Sequence, residues 1–433
     1  MHKPLILTRG VRHRDTAIQS FSQQKYNRLS HWLKTMTLPI SKTAAQIAPF
    51  RVMKILGQAK QLEAEGMDII HMEIGEPDFP SLDCVYQAAT AAARMGKTHY
   101  TPTLGLPELR AQLAQFYADF YQAKIDSQQI VITPGSSSAL QLVLTAILNP
   151  NDQVLMADPT YPCNRQFVQL LQAQVYPFAV DASSQYQLNL SHLEQYWHSD
   201  IKAVMVATPA NPTGTLIEQN ELLAMAEFLA ERDTWLIVDE IYQGLVYERK
   251  AESILAQPTV PDNVIVINSF SKFFGMTGWR LGWCIAPVTL IDTLERLGQN
   301  LYLSAPTPSQ YGALAVLQPE ALAQLEKRRQ VFHQRRDRLY HAMQSAGFSL
   351  KTQPQGAFYL YWDVSDFTQD SERFCAELLQ ATGVAITPGT DFGQAAGNTH
   401  VRLAYTNERI EEAVERIKAF MASQASPPAQ NSR

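Results

Sequence analysis

No run of about 18 or more apolar residues occurs in this 433-residue chain, so no segment has the length and character of a membrane-spanning helix. The most apolar stretches, such as residues 203–208 and 235–238, have the length of strands. An excess of one charge is also missing. The 36 Lys and Arg stand against 41 Asp and Glu, a net charge of −5, which leaves no basic surplus to draw nucleic acid. Cysteine is scarce. Cys84, Cys163, Cys284 and Cys375 lie far apart, form no metal-ligand pair and fit the reduced thiols of a cytoplasmic protein without a metal site. No internal repeat is visible.

What is present, 46% hydrophobic and 18% charged residues, is the composition of a globular chain with room for two domains. The first 42 residues differ from the rest. They carry Lys3, Arg9, Arg12, Arg14, Lys25, Arg28, Lys34 and Lys42 against one acid, Asp15. Such an acid-poor segment can be an organelle leader, but it fits a flexible arm or translated sequence upstream of a start at Met36 better. From Ala422 to Arg433 almost nothing is apolar, which predicts a frayed, disordered tail.

Between these ends, helical and strand-like patterns alternate. Helices are expected over 81–95, 106–121, 136–148, 164–171 and 222–232, and strands over 130–132, 153–156, 174–178, 203–208, 235–238 and 264–268. Strands separated by helices imply a largely parallel sheet covered on both faces, an α/β fold. After Pro319 the texture changes to a long charged helix over 321–346, then short strands over 358–362 and 401–404 with a helix over 372–381 between them. This reads as a smaller α+β domain completed by residues ahead of Cys84.

The strands of the larger part run into polar or glycine-rich clusters. Ile132 leads to Thr133-Pro134-Gly135-Ser136-Ser137, a small-residue turn opening a helix, where free N–H groups and the helix dipole can hold a phosphate; an ordinary capped helix start reads equally well. Thr208 leads to Asn211-Pro212-Thr213-Gly214. The strand ending at Val238 leads to Asp239-Glu240-Ile241-Tyr242, and an acid there is costly to bury without a cationic partner, although it could also be a helix cap. The strand over 264–268 leads to Ser269-Phe270-Ser271-Lys272 and then Gly275-Met276-Thr277-Gly278-Trp279-Arg280-Leu281-Gly282. One lysine among small residues at a strand end, with an arginine eight positions on, is the setting a Schiff-base lysine requires.

These clusters, together with Ile74-Gly75-Glu76-Pro77-Asp78-Phe79, Tyr100-Thr101-Pro102 with Gly105-Leu106, and Val401-Arg402-Leu403, occur in a family order. Over nearly all of residues 40–420 the chain resembles the pyridoxal-phosphate-dependent aminotransferases of class I and II, fold type I. The resemblance implies a large domain over 84–318 holding a mostly parallel seven-stranded sheet between helices. It also implies a small α+β domain from 43–83 and 319–421, with residues 1–42 as an arm and 422–433 as a tail.

By the same resemblance, Lys272 forms the internal aldimine with pyridoxal 5′-phosphate and is the base of a ping-pong transamination. Asp239 pairs with the ring nitrogen, Tyr242 and Asn211 bond the ring oxygen, and Tyr161 stacks on the ring. Ser136, Ser137, Ser269, Ser271 and Arg280 hold the phosphate. Tyr100 reaches the phosphate of a neighbouring subunit, which implies a homodimer with a shared site. Arg402 clamps the substrate α-carboxylate, with Gly75 and Asn211 beside it. Gln299 and Asn300 stand where dicarboxylate-specific relatives often carry a second arginine, so a neutral or aromatic amino acid, paired with a 2-oxo acid, is the expected substrate. A β-lyase acting on cysteine-type substrates is the nearer alternative, and a non-catalytic aminotransferase-like regulator the more distant one.

Overall fold

The computed structural model describes residues 40–425. Its contacts divide between Ile47 and Ala48 rather than after residue 42. In the shorter unit, the Ser41 side chain accepts from the Ala44 N–H and starts a five-residue helix, Lys42–Gln46. The arm expected over residues 1–42 otherwise lies outside the described residues. All other elements belong to the unit that begins at Ala48.

Seven strands form one sheet: β1 (Ile130–Thr133), β2 (Gln153–Asp158), β3 (Gln174–Ala179), β4 (Ile201–Ala207), β5 (Trp235–Asp239), β6 (Val264–Ser269) and β7 (Gly282–Ile285). Their order across the sheet is β1-β7-β6-β5-β4-β2-β3. Strands β2 to β6 run parallel, and β7 is antiparallel to both of its neighbours. The helices are α1 (Arg51–Ala64), α2 (Asp83–Arg94), α3 (Pro107–Phe116), α4 (Ser136–Ile147), α5 (Pro162–Leu170), α6 (Leu190–Tyr196), α7 (Gln219–Ala230), α8 (Val288–Leu301), α9 (Thr307–Val316), α10 (Pro319–Ser345), α11 (Ser371–Thr382) and α12 (Ile410–Ala425).

The central strands read as unbroken apolar runs because both of their faces are covered. Val264 and Val266 of β6 join one core cluster with Leu222, Met225 and Leu229 of α7. Ile265 and Ile267 of the same strand join the opposite cluster with Leu140, Val143 and Leu144 of α4. Each such side chain, fully buried, contributes about 1.5–3 kcal/mol. A second, antiparallel sheet has the order β9-β10-β8, from β8 (Tyr359–Asp363), β9 (Thr387–Pro388) and β10 (His400–Ala404), and Ile70–His71 pairs in parallel with Val384–Ala385.

Two sequence expectations change. The helix expected over 106–121 is α-helical only to Phe116. It widens into a π-helical turn, Tyr117–Tyr121, ended by Gln122 at φ 63°. That turn sets Phe116 and Phe120 against Phe274 and Phe273, so tertiary ring packing overrides the regular helix. Residues 422–425, expected in the tail, belong to α12, and the rest of that segment, 426–433, lies outside the described residues. Strand β7 and helices α8 and α9 had no sequence expectation at all.

Parallel pairing brings the carboxyl ends of β4, β5 and β6 to one edge, where α/β proteins place ligands. The reversed strand β7 brings its first residue, Gly282, to the same edge, opposite Thr133 and Ser269. A Cβ at Gly282 would lie 2.6 Å from Ser136 N and 2.7 Å from Gly135 C, both backbone atoms. Gly282→Ala is therefore expected to cost about 1–3 kcal/mol by overpacking, seen as a lower urea midpoint. An unchanged midpoint would contradict this close approach.

Candidate active site

The turns that follow β1, β4, β5 and β6 converge on a cavity of about 390 Å³. Lys272 stands in the turn after β6, half-buried, and its Nζ donates to the carbonyl of Gly75 at 2.8 Å. Burial pulls the amine down to about 8, with nearby Arg402 and Arg280 pushing the same way and Glu76 opposing. Asp239, the last residue of β5, is buried and lines the same cavity. Among the described residues its carboxylate accepts one hydrogen bond, from the Ile241 N–H at 3.1 Å. Burial raises this acid from an ordinary 3.8 to about 7, and Lys272 is too weak a counterweight to prevent it.

One end of the cavity is built to hold an anion. Gly135, at φ 83°, turns the chain into α4 with no side-chain cap, leaving the first N–H groups of Ser136 and Ser137 pointing out of the helix. Arg280 closes this end from the opposite loop. Its Nη1 donates to the Thr277 carbonyl at 2.9 Å, and a Cβ at Gly135 would lie 2.8 Å from its Nη2. Ser271 lines the cavity, while Ser269 does not. Ser269 is the last residue of β6, and its Oγ is already committed to Ser271 Oγ at 2.9 Å and to the Leu281 carbonyl at 3.2 Å.

The other end is dominated by Arg402 on β10, 2% exposed. Its Nη1 donates to Asn211 Oδ1 at 2.9 Å, and its Nη2 to the Glu73 carbonyl at 2.5 Å and to Thr387 Oγ1 at 3.3 Å. Its buried Nε has no partner among the described residues. The guanidinium lies 4.3 Å from the ring centre of Tyr359, and Tyr359 Oη bonds Tyr242 Oη at 2.7 Å. Gly75 lies under this pair, since a Cβ there would overlap Tyr359 Oη.

Of the residues singled out in the sequence, Gly75, Ser136, Ser137, Tyr161, Asn211, Asp239, Tyr242, Ser271, Lys272, Arg280 and Arg402 all line one cavity. Ser269 stands behind it, and Tyr100 is outside it and 79% exposed. The sequence reading missed an apolar wall of Phe50, Val52, Met53, Leu140 and Ile241, and also Tyr359. Phe50 meets the Tyr161 ring edge-on at 6.1 Å. The only cue in the sequence is the apolar spacing at the start of α1.

Residues 67–417 match the family model described as aminotransferase class I and II. The chain belongs to this family. The aminotransferase is 36% identical over 384 residues to the (5-formylfuran-3-yl)methyl phosphate transaminase of Methanocaldococcus jannaschii, covering 88% of this chain and 99% of that one. It is 36% identical over 382 residues to the valine–pyruvate aminotransferase of Mycobacterium tuberculosis, covering 88% and 98%. The crystal structure of an aminotransferase from Mycobacterium tuberculosis superposes with a TM-score of 0.86 at 36% identity, over 89% of this chain and all of the other. The fold is therefore fold type I, and the protein is a transaminase. Among the described residues no helix is long and apolar enough to cross a membrane.

The buried acid gives this aminotransferase a pH signature when it is stripped of small molecules. Asp239 has a folded value near 7 against 3.8, so its contribution to stability is complete below pH 4 and is lost as pH rises through about 7. Stability of the wild type should fall relative to Asp239→Asn between pH 5 and pH 8, by an amount on the order of a few kcal/mol. Parallel profiles in urea denaturation would contradict the assigned burial.

Proposed function

We propose that this aminotransferase uses pyridoxal 5′-phosphate to move an amino group, by ping-pong exchange, between an L-amino acid with a neutral or aromatic side chain and a 2-oxo acid. One observation carries the reading: a half-buried amine in the turn after β6 and a buried acid ending β5, the acid without a hydrogen-bonded cationic partner among the described residues, line a cavity closed at one end by an anion cradle. The donor set fits the cofactor group by group. When bound, pyridoxal phosphate supplies an aldehyde for an amine and a cationic ring that withdraws electrons from the substrate's α-carbon.

The residues then have distinct tasks. Asp239 offers a carboxylate to the ring nitrogen, and the ring's positive charge relieves the cost of burying it. The Ser136 and Ser137 N–H groups, the Ser271 hydroxyl and the Arg280 fork hold the phosphate, with Ser269 orienting Ser271. Tyr242 and Asn211 donate to the ring oxygen, and Tyr161 covers a ring face. Lys272, its amine lowered toward 8, is partly neutral near physiological pH. Its amine would hold the cofactor at the aldehyde and, when free, would accept the substrate's α-proton at Nζ and pass it to the cofactor carbon rather than back to the substrate; such a positioned base is typically worth about 10²–10⁴-fold in rate.

Arg402 presents its guanidinium at the far end of the cavity, with Nε unpartnered among the described residues, suited to an α-carboxylate, with Gly75 and Asn211 beside it. In this reading the antiparallel β9-β10-β8 sheet belongs to a smaller domain, so the carboxylate bridges that domain and the sheet that carries Lys272, and closure over it excludes water. The remaining wall, Phe50, Val52, Met53 and Ile74, is apolar. Apart from Lys272, Arg280 and Arg402, no lysine or arginine among the described residues lines the cavity, and Glu76 adds an anion. A side-chain carboxylate finds no partner here, whereas the branched chain of valine, the donor in the name of one relative, suits the wall.

Tyr100, 79% exposed, lies outside its own cavity, and Met95, Leu301 and Leu303 are other large apolar side chains left in solvent. These support a homodimer in which Tyr100 reaches the partner's phosphate. The test of substrate class is a half-reaction without acceptor, following the visible absorption of the bound cofactor. Valine, leucine and phenylalanine should discharge it faster than aspartate. Fastest discharge by aspartate would overturn the side-chain assignment.

A further inference from the structure

Helix α10 holds the segment that follows the Gly75 loop through side chains that lie outside the cavity. Arg328, Phe332 and Arg335 recur at spacings of four and three, hence on one face of the helix. Together they grip the segment Asp78–Pro80. Arg328 Nη1 donates to the Pro80 carbonyl at 2.7 Å, and Phe332 meets Phe79 edge-on at 5.5 Å. Arg335 donates to both carboxylate oxygens of Asp78, at 2.8 and 2.9 Å. A buried guanidinium making a bidentate ion pair is a fixed point, because leaving either partner behind is costly.

Arg335 is 1% exposed and makes a second contact. Its Nη1 donates to the Thr406 carbonyl at 3.1 Å, and the Thr406 hydroxyl bonds the Ile74 carbonyl at 3.4 Å. Asp78 lies three residues after Gly75, whose carbonyl receives Lys272. Thr406 lies four residues after Arg402. One side chain thus joins the loop beneath the lysine to the chain leaving the strand that carries the carboxylate arginine. The remaining neighbour, Glu408, is 3.5 Å away, and its side chain is 81% exposed.

We propose that Arg335 is a positioning residue for the amino-acid substrate: its fork, held by Asp78 and Thr406, sets the spacing between the Gly75 loop and the Arg402 strand. The inference rests on the assignment of Arg402 to the α-carboxylate. A lysine at 335 could not reproduce it, since a point charge on a flexible stem cannot satisfy a carboxylate and a carbonyl in one plane. Asp78→Asn tests the same contact from its more exposed side, placing an amide donor against a guanidinium that has only donors to offer.

A role confined to stability would lower the active fraction, reducing apparent kcat at constant KM. A positioning role moves KM. Asp78→Asn and Arg335→Lys should each raise KM for the amino donor about tenfold, with kcat within about threefold and the bound-cofactor spectrum unchanged. Glu408→Gln should behave as wild type. If Arg335→Lys fails to fold, Asp78→Asn decides: a raised KM supports the inference, and a wild-type KM overturns it. Arg402→Lys, measured alongside, separates the two layers. A raised KM there with wild-type KM in the other two overturns the positioning alone, whereas a wild-type KM for Arg402→Lys overturns the carboxylate assignment and this inference with it.

Discussion

A buried carboxylic acid at the end of one parallel strand and a half-buried amine in the turn after its neighbour set the terms for everything around them. Among the described residues neither Asp239 nor Lys272 has an oppositely charged side chain in hydrogen-bonding contact, so burial moves the acid up to about 7 and the amine down to about 8. A sheet that buries two such groups is less stable than one with apolar residues there. That cost is typical of a site shaped for a ligand rather than for folding. The apolar packing on both faces of β5 and β6 makes it tolerable, and it also keeps water from neutralising the effect.

Around this pair, hydrogen bonds connect segments far apart in sequence. Arg402 on β10 is bound to Asn211 after β4, and Tyr359 on β8 is bound to Tyr242 after β5. The groups assigned to the cofactor ring therefore share partners with the groups assigned to the substrate. Buried bonds thus join the turns after β4 and β5 to β10 and β8, and α10 contacts the Asp78–Pro80 segment and Thr406. In the proposed reading, discrimination between substrates falls to the apolar wall of Phe50, Val52, Met53 and Ile74.

Much of this was legible in the sequence, for identifiable reasons. Buried parallel strands such as Val264–Ser269 are apolar on both faces, and polar residues that interrupt them at the carboxyl end stand out. Asp239 and Lys272 were visible in this way, and so was the small-residue turn at Gly135, whereas Arg402, inside an antiparallel strand, was singled out only by the family motif Val401-Arg402-Leu403. Strand β7 was not, because Gly282 and Cys284 blur its pattern and its role depends on pairing with β1 and β6. Helix α9 buries Thr307, Ser309 and Gln310, so its inward side lacks the apolar stripe that marks a surface helix. Ser269 and Ser271 could not be ranked without the turn geometry. Phe50, Val52 and Met53 reach the cavity only through tertiary packing, which no local pattern encodes.

The central claim is that the amine of Lys272 is the group that joins the cofactor. Borohydride reduction of the holoenzyme, followed by proteolysis and mass spectrometry, addresses it directly. A single phosphopyridoxyl adduct on the peptide containing Lys272 is the expected result. A reduced enzyme with no adduct there, or with the adduct on another lysine, would contradict the account.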